Sequence, residues 1–161
     1  MSTQASFHNA VVAILREVIE GPPKEASFVL NPGDQGLLGN LESIGADVAS
    51  AKPTAGRTTI AQHVAHVLYG MELLNRWADG EENPWANADW EAAWKTGPLD
   101  DAQWRDLVGR LRTAAYKWID FVQRKTDGWE QIAANGTVAS AAHTAYHLGA
   151  IRQLMAAARA I

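Results

Sequence analysis

The chain has 161 residues, 47% hydrophobic and 20% charged, with a formal net charge of −4; that length supports one domain with a real core. The acidic balance argues against a nucleic-acid groove or an anionic membrane surface, both of which need clustered lysine and arginine. The absence of cysteine excludes disulfides, thiolate metal sites and a cysteine nucleophile.

No stretch approaches the roughly 20 apolar residues of a bilayer span. Met1–Ser6 carries neither the basic residue nor the apolar run of a secretory leader. The expectation is a cytoplasmic protein.

Residues from Thr3 to Glu20 read as a first helix, because Val11, Ile14, Leu15, Val18 and Ile19 recur at helical spacing. Gly21-Pro22-Pro23 ends it. His8 lies near the edge of that stripe and reads as a surface or half-buried histidine. Residues 24–33 form a connector closed by Asn31-Pro32-Gly33. From Asp34 to Ser50, Leu37, Leu38, Leu41, Ile44 and Val48 keep the period and predict one accessory helix. Gly36, Gly39 and Gly45 weaken it, each by about 1 kcal/mol relative to alanine. Lys52 to Gly56 reads as a loop.

Thr59-Ile60-Ala61-Gln62 is a capping-box pattern, and the helix it opens should run to about Asp79-Gly80. His63, His66, Gly70 and Leu74 fall on one line of it. The glycine leaves room one turn after His66, for a pocket or for a close helix contact. Glu81 to Pro98 is a polar connection, long for a helical bundle, with Trp85, Trp90 and Trp94 along it. Trp90 and Trp94 are four apart, which predicts a short helix carrying both on one side. The favoured reading is a lid of aromatics closing one end of the core, since aromatics usually serve as buried area; the alternative is a wall of a ligand pocket.

Asp100 opens the next helix, whose buried stripe is Trp104, Leu107, Val108, Leu111, Ala115, Trp118 and Val122. It ends near Lys125, with basic residues at the end the helix dipole favours. Asn135-Gly136 reads as a turn, with Thr137 capping a last helix whose core line is Ser140, His143, His147, Ile151 and Leu154. Strand signals are weak throughout. The fold class is all-α, a bundle of four main helices with accessory short ones.

Four of the five histidines fall in two short clusters, His63/His66 and His143/His147, both on helix faces that should point inward. Histidines four apart on a helix lie one above the other and can grip one ion from one side, with a third ligand from the earlier pair. Imidazole suits zinc, nickel, iron or copper, and three protein ligands leave the open position of a catalytic centre. His143-Thr144-Ala145-Tyr146-His147 has the histidine spacing of the HExxH metalloproteases, but Thr144 stands where their glutamate base must be, which argues against a peptidase of that type.

Two stretches carry a resemblance. Thr59-Ile60-Ala61-Gln62-His63-Val64-Ala65-His66-Val67 is similar to a capped helix ending in a small residue, His and an aliphatic. His143 to Leu154 is similar to an HxxxH-x-G-x-I-x-Q-L helix. With the tryptophan-rich segment between them, they make the chain resemble the DinB/YfiT-like superfamily of metal-binding four-helix bundles from about residue 57 onward; residues 24–52 are longer than that family's usual connection. The resemblance implies a three-histidine metal site of His66, His143 and His147, with zinc or nickel as the ion. His63, Tyr69 and Tyr146 are then candidates for supporting a ligand from behind or touching a substrate. It further implies a metal-dependent hydrolase or a transferase that uses a low-molecular-weight thiol, acting on a small molecule, and a homodimer. No Asp or Glu lies on the ligand face within a turn, so no catalytic base is identified. The alternative is a non-catalytic bundle that binds a metal or small ligand.

Overall fold

The computed structural model describes residues 3–52 and 58–159, and among these the chain is all-helical. The elements are α1 (Thr3–Glu20), α2 (Leu37–Glu42), α3 (Ala46–Ser50), α4 (Ile60–Ala78), α5 (Trp90–Ala93), α6 (Asp101–Arg124) and α7 (Gln131–Arg159). The expected loop at 52–56 lies, apart from Lys52, outside the described residues.

The four long helices share one core. α1 contributes Leu15, Val18 and Ile19, α4 Ile60, Val64 and Val67, α6 Leu111 and Trp118, and α7 Leu148 and Ile151, all at most 1% exposed. α4 packs against both α6 and α7, and α1 packs against the same two helices from the other side. Each stripe recurs at three- and four-residue spacing, so burying it aligns one face of each helix on the others.

Two helix starts follow from local chemistry. Thr59 Oγ1 accepts from the Gln62 amide while Gln62 Oε1 accepts from the Thr59 amide. Asp100 and Gln103 make the same reciprocal pair at α6. Each pair satisfies two backbone donors that a helix end leaves free.

The accessory helix expected over 34–50 is two helices. Gly45, in extended conformation, caps α3 and interrupts the run. Gly36 lies outside α2 as its N-cap. A Cβ there would sit 2.6 Å from both the Glu20 carbonyl carbon and the Ile19 oxygen, so only glycine lets this turn close on the end of α1. The preceding connector is held by Glu17, a carboxylate 2% exposed. Its Oε1 accepts from the backbone amides of Phe28, Val29 and Leu30 at 3.0, 2.7 and 2.7 Å.

The turn expected at Asn135-Gly136 and the cap at Thr137 are corrected: α7 starts at Gln131 and runs through both. Thr137 Oγ1 donates to the Ala133 carbonyl one turn back, and Gln131 Nε2 donates to Asn135 Oδ1. These bonds within the helix use the side chains that would otherwise close a turn.

Candidate metal centre

α4 carries His63 and His66 three apart, and α7 carries His143 and His147 four apart, so each pair shares a face of its helix. The helices run antiparallel, which sets His63 against His147 and His66 against His143. Three Nε2 atoms converge. His143 Nε2 lies 3.2 Å from His66 Nε2 and 3.0 Å from His147 Nε2. His66, His143 and His147 each offer a ligand atom within 4.8 Å of the others, the single group of this kind among the described residues. His8 is not part of it.

A ring nitrogen holds either one proton or one lone pair, so His143 Nε2 makes one linear hydrogen bond and not two. Hydrogen bonding alone therefore leaves the cluster short of satisfaction. A divalent ion uses all three lone pairs at once. Nitrogens about 2.0–2.1 Å from one zinc ion and subtending tetrahedral to right angles stand about 2.8–3.4 Å apart, and the separations of 3.2 and 3.0 Å from His143 fall in that range. The donor set of three imidazoles, without thiolate, suits ions of the zinc and nickel class.

Burial lowers the pKa of all four imidazoles. For His66, burial and then the neighbouring His143 and His63 bring it to about 4. For His147, burial and then His143, His63 and His66 bring it to about 3. All four are neutral near pH 7, the form in which imidazole ligates a metal.

His63 stands behind the cluster. Its Nδ1 is 2.9 Å from His147 Nδ1, and its Nε2 is 2.9 Å from Thr58 Oγ1. With the lone pair of His147 Nε2 turned to the cluster, its proton sits on Nδ1 and is donated to His63 Nδ1. His63 then carries its own proton on Nε2 and donates it to Thr58. That chain sets both tautomers, as the partners of ligating histidines commonly do. His66 Nδ1 is buried without a protein hydrogen bond. Its ring is instead stacked on Trp94, with centroids 4.4 Å apart and planes 23° from parallel.

Trp94 also meets His63 edge-on at 5.3 Å and lies 5.9 Å from His147. The Gln62 side chain donates to the Trp94 carbonyl at 2.7 Å, so the residue that closes the α4 cap also ties down the aromatic cover. The reading of this segment as a core lid holds for Trp94 and is corrected for Trp85 and Trp90. No residue of α5 is buried, and Trp85 and Trp90 are 39% and 40% exposed. They border a cavity of about 1100 Å³ that reaches His143 and is also lined by Gly70.

Tyr69 accepts a hydrogen bond from the Asp89 amide and meets Trp90 edge-on, so it braces the cover. Tyr146 is 71% exposed and touches His147 only with its ring, at 5.1 Å. Thr144 is buried and donates to the Ser140 carbonyl, occupied within its own helix. Among the described residues, no carboxylate hydrogen-bonds any of the four clustered imidazoles. Sequence reasoning missed Thr58 and Gln62 as parts of the site and offered Trp94 only as the alternative of a pocket wall. The signals were available only as the capping box and the crowding of tryptophans.

Comparison with protein-family models, with curated proteins and with solved structures finds no match. The functional reading therefore rests on the residues and their geometry.

Proposed function

We propose that this protein is a metal-dependent enzyme of DinB/YfiT-like type, with four long helices holding a zinc or nickel ion on His66, His143 and His147. The reaction class is hydrolysis or transfer to a low-molecular-weight thiol. One observation carries the reading: three neutral imidazoles bring ligand nitrogens within 4.8 Å of one another, with His143 Nε2 standing 3.0 and 3.2 Å from those of His147 and His66. Bound there, the ion would supply Lewis acidity and lower the pKa of a water or thiol.

The chain's own residues do the rest. His63 and Thr58 hold the His147 tautomer, Trp94 packs on His66 and keeps bulk water off one side of the cluster, and the cavity brings a small molecule to His143. A homodimer belongs to the same proposal and is read from the molar mass in solution. A second reading, a non-catalytic metal- and ligand-binding protein, is favoured because no carboxylate among the described residues hydrogen-bonds the imidazoles.

The test is metal content and thermal stability of protein purified without a histidine tag, beside the His143→Ala/His147→Ala double variant. Stoichiometric metal in the first and none in the second is the expected result. A metal-free native protein whose melting temperature does not rise with added zinc or nickel would overturn the proposal. Bound metal without a metal-dependent hydrolase or thiol-transferase rate would favour the second reading.

A further inference from the structure

The cavity beside His143 is a groove between α4 and α7. Its α7 wall runs from Ile132 to His143, and its α4 wall runs back from Val67 to Trp77. Eleven residues of helix make it about 16 Å long. At about 1100 Å³ it stands just above the range of roughly 300–1,000 Å³ usual for small-molecule sites. The walls are aromatic, with Trp77, Trp85, Trp90 and Trp118 all facing it. Trp118 is fully buried behind this wall and its Nε1 donates to Ser140, so that indole backs the groove without offering it a polar group.

Lys125 lies at the end remote from the histidines. Its ammonium rests 5.4 Å from the centroid of the Trp129 ring. Among the described residues, no carboxylate comes within ion-pair distance of it. Glu82 and Glu130 also border this end, but both side chains are exposed to water, whereas Lys125 is half-buried. Lys125 is the one lysine or arginine among the residues that line the groove.

We propose that this groove binds an elongated apolar molecule with a carboxylate at the Lys125 end, so that its other end lies against His143. In naming this molecule as the substrate class, the inference rests on the proposed metal centre. Binding itself needs only the groove and is measured without metal.

The test titrates dodecanoate, dodecanol and dodecylamine, each below its micelle concentration, into the full-length protein stripped of metal, with tryptophan fluorescence and calorimetry as readouts. Dodecanoate is expected to bind saturably and up to about fivefold more tightly than dodecanol, the scale of a solvent-accessible ion pair. Lys125→Met should abolish that preference and leave dodecanol binding in place.

Gly136→Leu fills the groove from the α7 wall. A Cβ added at Gly136 meets no heavy atom within 4 Å, so the fold accommodates it. Loss of about two methylenes' worth of wall contact should weaken all three ligands about tenfold, with metal content unchanged and melting temperature not lowered, since leucine is the better helix former. No saturable binding, an amine that binds as tightly as the carboxylate, or a Gly136→Leu protein that binds normally would overturn the inference. Metal binding without groove binding would sink this inference alone. Groove binding by a protein that takes up no metal would sink the metal centre alone.

Discussion

Replacing His63 with phenylalanine separates the metal-bound state from the metal-free one. The ring keeps its size and its edge contact with Trp94, now 5.3 Å between centroids, but loses the acceptor that faces His147 Nδ1 at 2.9 Å. His147 is 2% exposed, so its Nδ1–H would have no water to turn to. With an ion on Nε2, the His147 proton must sit on Nδ1, and a buried donor without an acceptor costs about 1–3 kcal/mol. Without the ion, His147 can move its proton to Nε2 and donate to His143 Nε2, 3.0 Å away. The penalty therefore falls mainly on the metal-bound state. The expected loss is about 10–100-fold in affinity for zinc or nickel, with a much smaller change in metal-free melting temperature. Chelator competition measures the first and circular dichroism the second. A His63→Phe protein that holds metal as tightly as wild type, or one whose metal-free form loses as much stability as its metal-bound form, would refute the tautomer argument.

Other consequences are open to direct measurement. In metal-free protein the folded pKa values of His66 and His147, about 4 and about 3, lie below the ordinary histidine value of about 6.5. Between those limits the unfolded chain binds protons the folded chain refuses, so stability is complete above about pH 6.5 and is lost as pH falls toward 4. The urea midpoint should drop between pH 7.5 and pH 5, and an unchanged midpoint would contradict the burial of these rings. Burial alone would raise Glu17, but the amides of Leu30, Val29 and Phe28 more than offset it and leave its pKa lowered. Glu17→Gln replaces a triple acceptor with a group that also donates, and should cost about 3 kcal/mol and speed amide exchange at residues 28–30. Gly36→Ala forces a methyl group into the backbone of Glu20 and Ile19 and should cost at least about 1–3 kcal/mol, read as a lowered denaturation midpoint.

Much of the helical framework was legible because its causes are local. The Thr59–Gln62 box and the Asp100 cap act over one turn, and both lie where the sequence puts them. The stripe of α6 from Trp104 to Val122 is buried residue for residue. The failures came where a residue's partner is distant or its local options are balanced. Asn135-Gly136 has the chemistry of a turn, yet Gln131 and Thr137 bond within a continuous helix instead. Gly36 looked like a weak helix residue. Its role comes from the end of α1, fifteen or more positions earlier, which no local window includes.

The histidine centre divides the same way. Sequence by itself determined that His143 and His147 share a helix face, and that His63 and His66 share another, because 3.6 residues per turn allows nothing else. It left open which member of the earlier pair meets the cluster, except through family resemblance. The antiparallel packing of α4 on α7 decided that: its register brings His66 Nε2 to His143 and turns His63 onto the far nitrogen of His147. Tertiary structure also turned Trp94 onto His66 and left Trp85 and Trp90 at the rim of a groove instead of in the core. Side-chain roles of that kind depend on the distance between helices, which hydrophobic periodicity does not encode; it records only which face of each helix is buried.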